Sequence, residues 1–191
     1  MTLRSLVPFV VLLLGSPLMA MAQEVASYRV LATSRTSTMQ KEMQDAAAAG
    51  FRFVAVMGGE TSFGGNEVVV LMEKTTGDAA RFDYRLLATS RTSTMQRELQ
   101  EAAEAGFEFI GQTVFESLFG GEEVTAILER DPSAPPAQKY EYKLLATSKT
   151  STLQKELQGV AAQGFRVVAM TVGTTAMGGQ EVVVIMRRRR Q

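Results

Sequence analysis

A unit of 47 residues occurs three times in succession, and no other feature limits the fold so tightly. Residues 28–74, 84–130 and 142–188 align without an insertion, and 18 of the 47 positions are identical in all three. A unit of this size sits near the lower limit for folding alone. The chain has no Cys to staple it, so each unit must lean on its neighbours to complete a core.

The unit reads as β-α-β-β. Residues 28–33 are a short apolar stretch, taken as the first strand. Ser37 followed by Gln40 has the spacing of a capping box at a helix start. Met39, Met43, Ala46 and Ala47 then form one helical stripe, which recurs as Met95, Leu99, Ala102 and Ala103 and as Leu153, Leu157, Val160 and Ala161. Gly50 is placed to stop the helix. Residues 51–57 read as a second strand with Phe51, Phe53, Ala55 and Met57 on one face. A Gly64-Gly65 loop leads to a third strand over residues 67–72. Its consecutive apolar residues, Val68 to Met72, predict burial on both faces and a central place, in the order 1-3-2 with a right-handed crossover.

The fold class expected is therefore α+β: three tandem βαββ repeats, mixed mostly antiparallel sheets with one helix per repeat packed on one face. The other face needs a cover, either another unit's sheet or a second chain. The boundaries expected are residues 23–74, 84–130 and 140–191 for the repeats, with linkers at 75–83 and 131–139, the second rich in Pro.

Residues 1–22 have the pattern of a secretory signal. Arg4 precedes an apolar run from Leu6 to Leu14, and Ala20-Met21-Ala22 offers a cleavage site. That run is too short for a membrane span, which needs about 20 residues. The mature chain is expected to begin at Gln23, in the periplasm or outside the cell, with no transmembrane segment left.

Composition removes much chemistry. Without Cys or His, the common zinc, haem and iron–sulfur sites are excluded, as are Ser-His-Asp and Cys-His catalysis. Basic and acidic residues balance at 20 each, so no net field draws nucleic acid. The run Arg187 to Arg190 reads as a solvated tail. No cofactor or metal is expected.

The repeat is most uniform at its front: 11 of its first 17 positions are identical in all copies. The densest part is Leu-Ala-Thr-Ser-[Arg/Lys]-Thr-Ser-Thr, at residues 31–38, 87–94 and 145–152. One reading is capping, strand-edge Thr and residue from duplication. The functional reading is an anion site at each helix start, because free N–H groups, hydroxyls and a cation meet there. Arg35, Thr36, Ser37 and Thr38 would form it in the first unit, Arg91, Thr92, Ser93 and Thr94 in the second, and Lys149, Thr150, Ser151 and Thr152 in the third. Catalysis has less to stand on. Ser37 and Lys41 suggest a Ser-Lys pair, but the second copy has Arg97, which does not give up its proton. Glu42, Glu98 and Glu156 read as first-turn acids favoured by the helix dipole. Glu67, Glu123 and Glu181 read as solvated strand starts. Met39, Met43 and Met95 are explained by packing. Phe63, Phe119 and Met177, at the hairpin tip, are candidate contacts for a partner or a neighbouring unit.

The strand, the Leu-containing helix ending in A-x-x-G-Phe and the hairpin, seen in residues 99–107 and 157–165 with their flanking strands, resemble a family of small uncharacterised bacterial βαββ domains. The resemblance implies the fold and no activity, and the family's usual Trp after the Gly is Phe51, Phe107 and Phe165 here. The expectation is a non-enzymatic exported protein that binds an unknown protein, an anionic small molecule or a glycan, alone or as a homo-oligomer. A Ser/Thr hydrolase is the remaining alternative.

Overall fold

The computed structural model describes residues 26–61, 65–75, 82–116, 122–133, 140–174 and 179–190. The signal-like segment, most of both linkers, and Phe63, Phe119 and Met177 lie outside the described residues. Each unit is β-α-β-β: β1 (Tyr28–Thr33), α1 (Thr36–Ala48), β2 (Phe51–Thr61) and β3 (Gly65–Lys74); then β4 (Asp83–Thr89), α2 (Thr92–Glu104), β5 (Glu108–Glu116) and β6 (Glu122–Arg130); then β7 (Tyr140–Thr147), α3 (Thr150–Ala161), β8 (Arg166–Thr174) and β9 (Gln180–Arg189). Three three-stranded sheets result, ordered β1-β3-β2, β4-β6-β5 and β7-β9-β8, with every pairing antiparallel. Among the described residues, no helix is long and apolar enough to cross a membrane.

The central strand is the apolar one, as its composition requires. In β3, Val68, Val70 and Met72 are fully buried beneath α1 with Met39, Met43, Ala46 and Ala47. The helix stops where Gly50, Gly106 and Gly164 take φ of 84°, 85° and 87°, a region that favours glycine. Beside each stop, a basic residue at the end of the last strand (Lys74, Arg130 or Arg188) lies over Phe51, Phe107 or Phe165. It also donates to a carbonyl at the helix end.

Four local expectations are corrected. The helix starts at Thr36 with Arg35 as its extended cap residue and no side-chain cap bond, so Ser37 and Gln40 form no capping box. Glu42 consequently lies in the second turn and has no first-turn dipole role. The second strand runs four residues further, and its pairing shifts between Phe53 and Ala55. A bulge of this kind turns the following side chains to the other face, so Phe53 packs in the core while Met57 is exposed. Finally, β9 continues to Arg189, and Arg187 and Arg188 bind Glu108 and Glu141 at 2.6 and 2.8 Å. Glu141 on the neighbouring strand β7 and Glu108 on β5 of the second sheet hold these two arginines in place, so the basic run is not a free solvated tail.

The units stack in one direction. If the face carrying a unit's own helix is its front, the back of the second sheet lies on the front of the first: Tyr84 and Ile127 complete the core around Met39 and Met43. The back of the third sheet does the same for the second unit, where Tyr142, Val183 and Ile185 join Met95 and Leu99. The third core, around Leu153, Val160 and Val184, contains residues of its own unit alone.

Candidate functional site

The strand-to-helix segments are alike in all three units. Thr33, Thr89 and Thr147 each accept, through Oγ1, the N–H of the residue two further on, at 3.2, 3.0 and 3.2 Å. This closes a small turn and accounts for one of the repeated hydroxyls. The carbonyls of Arg35, Arg91 and Lys149 accept the first helical bonds, from Met39, Met95 and Leu153. The three cations and Ser37, Ser93 and Ser151 point to the surface, whereas Thr36, Thr92 and Thr94 are half-buried. Among the described residues, no ion pair engages these cations, and no hydrogen bond joins one segment to another. The structure therefore places the twelve residues at three separate helix starts, one per unit. No three acidic side chains among the described residues gather to hold a metal ion.

The most elaborate polar geometry lies elsewhere, at the joints between units. Strand β4 is the edge of its sheet, and α1 supplies what the edge lacks. Gln44 Oε1 accepts the N–H of Tyr84 at 3.0 Å and Gln40 Oε1 that of Leu86 at 2.9 Å, while Gln44 Nε2 donates to the carbonyl of Phe82. The second joint repeats this. Gln100 Oε1 accepts from Tyr142 N, Gln96 Oε1 accepts from Leu144 N, and Gln96 Nε2 donates to the Tyr142 carbonyl. Two helical residues four apart face the same way, and that spacing matches alternate residues of the strand.

The tyrosine that opens each unit is the anchor. Tyr84 reaches back to the bulge of β2, where its oxygen accepts the Phe53 N–H at 2.9 Å; Tyr142 accepts the Phe109 N–H at the β5 bulge at 2.8 Å. The bulge interrupts the ladder, and the phenol serves the amide there. Burial drives the Tyr84 hydroxyl well above the usual tyrosine range and also raises that of Tyr142. An ion pair closes each joint: Arg52 with Glu129 at 2.5 Å, and Arg187 with Glu108 at 2.6 Å. These pairs occupy the same two repeat positions with their signs exchanged. The bond to Glu129 raises the Arg52 pKa.

Two faces of this kind remain open. Tyr28 is 56% exposed, against 4% for Tyr84 and 2% for Tyr142 at the equivalent position. Seven large apolar side chains are exposed among the described residues: Tyr28, Val30, Val54 and Met57 on the back of the first sheet, and Val167, Met170 and Val172 on the front of the third. An open groove of about 470 Å³ lies on this last face, between Leu157, Gln158, Phe165, Arg166, Val167 and Met186. In the first two units the corresponding place takes the next unit's tyrosine.

Neither composition nor motif points to these residues. Their signal was the identity of Tyr and of both Gln in all three copies, which the helix stripe alone does not require. Comparison of the chain with protein-family models, curated proteins and solved structures gives no match.

Proposed function

We propose that this is an exported, non-enzymatic interaction protein whose working surfaces are the two end faces of its stack. One observation carries the reading. Every large apolar side chain exposed among the described residues lies on one of those faces, and both faces are built to the pattern that the chain buries against itself twice. Contiguous apolar surface of this sort marks a binding site for protein. An anion held at the helix starts is the weaker reading, because the exposed cations belong to three separate helix starts and, among the described residues, no hydrogen bond joins one of these segments to another.

A photo-reactive side chain placed at Val30 or at Met170, with Lys155 as control, tests the proposal in the exporting cell. Lys155 is a suitable control because Lys41 and Arg97, its equivalents at the internal joints, stay exposed. Cross-links to polypeptide are expected from Val30 and Met170 and not from Lys155. The absence of any polypeptide adduct from both faces would sink the reading.

A further inference from the structure

Resting on that reading, we infer that the occupant of each end face is the opposite end face of a second copy of this chain, joined head to tail. The two internal joints define what such a face requires, and the free ends carry both halves of it. At the tail, Gln154 and Gln158 stand where Gln40 and Gln44, and Gln96 and Gln100, hold the next edge strand. Both side chains are exposed and make no hydrogen bond among the described residues. At the head, β1 has one paired edge, toward β3, and one edge that is open among the described residues. Tyr28 and Val30 on that edge occupy the positions of Tyr84 and Leu86. Tyr28 would enter the groove beside Gln158, where the amide of Val167, at the bulge of β8, corresponds to those of Phe53 and Phe109.

The charges agree independently. The positions that hold Arg52 with Glu129, and Glu108 with Arg187, are filled at the free ends by Arg166 at the tail and Glu73 at the head. Opposite signs meet again, and neither residue has an ion-pair partner among the described residues. A second polar pair follows the same rule. Asn66 donates to Glu116 across the first joint at 3.0 Å; at the ends these positions are Gln180 and Glu60. The small residue that permits close approach at the second joint is also present at the head. A Cβ on Gly173 would lie 3.2 Å from Val114, whereas its equivalent at the head, Gly59, has nothing within 4 Å. Gly59 thus leaves room for Val172 of the neighbour. Such a head-to-tail contact uses two different patches, so it propagates until it closes as a ring or extends as a filament.

Two exposed substitutions test this in the purified protein. Val30→Asp disables the head and Met170→Asp the tail, and circular dichroism and melting confirm that each variant still folds. By analytical ultracentrifugation the wild type is expected well above the mass of one chain, and each variant alone at one chain. An equal mixture of the two variants should form a species of two chains, since one intact head then meets one intact tail. Arg166→Glu should break the assembly, and adding Glu73→Arg to it should restore it. A wild type that remains a single chain overturns the inference, as does association that survives both Asp substitutions or a mixture that stays monomeric. If the wild type is a single chain while Met170 cross-links to a different polypeptide, self-pairing is wrong and the interaction reading stands. If Val30 and Met170 also cross-link to nothing, both fall.

Discussion

Tyr84 and Tyr142 show how much one side chain can be asked to do. Each buries an aromatic ring in the preceding unit and satisfies the amide that a bulge has left over. Tyr84→Phe keeps the ring and orphans the Phe53 N–H, so it should lower stability by about 1–3 kcal/mol in urea titration, the cost of an unsatisfied buried donor. Tyr28→Phe should be nearly neutral in a separated chain, where the Tyr28 hydroxyl has no partner among the described residues. A pH effect follows from the same burial. The folded state holds the Tyr84 and Tyr142 protons more tightly than the unfolded state. Their contribution is therefore fully present below a pH of about 10, the ordinary tyrosine value, and is lost as pH rises beyond it. Tyr84→Phe with Tyr142→Phe should flatten that alkaline fall in stability; an unchanged slope would assign it to other groups.

At the scale of elements, each helix serves two sheets: its apolar stripe lies on its own, and two glutamines finish the edge of the next. Replacing Gln96 and Gln100 by Ala removes three bonds from β7 and should cost about 1.5–4.5 kcal/mol at the usual net value per bond. The same change at Gln154 and Gln158 should cost a separated chain little. Equal losses for the two pairs would refute this division of labour. Much of the element order was legible beforehand. The apolar run in Val68 to Met72 placed the third strand at the centre, and Gly50 marked the helix end. What sequence could not reveal is of two kinds. The spacing of Ser37 and Gln40 suggests a cap that does not form, because Thr33 turns the chain before Ser37 and the helix starts at Thr36. Strict alternation puts Met57 on the face of Phe53, but a single extra residue at the bulge reverses all that follows. The roles of Gln40 and Gln44 were hidden for a different reason: their partners lie about 40 residues away in sequence, beyond any periodicity.

The whole molecule behaves as a stack in which no core belongs to one unit until the last. Ile127 sits on the second sheet yet packs in the core of the first unit. Ile127→Ala should cost about 2–5 kcal/mol, and the loss should appear in α1 as reduced amide-exchange protection as well as in β6. Protection in α1 that is untouched would mean that the units fold independently. The alternating charges across the joints bear on how three nearly identical modules find their places. Near-duplicates in one chain invite misassembly during folding. If the first unit docked directly on the third, Arg52 would confront Arg187; if the second docked ahead of the first, Glu108 would confront Glu73. Both of these wrong neighbours bring like charges together at the closing contact, whereas the third unit ahead of the second would set Arg166 against Glu129, an opposite pair. The exchanged ion pairs therefore act as a partial sorting code: they favour first-to-second and second-to-third docking and disfavour the two orders that set Arg52 against Arg187 or Glu108 against Glu73.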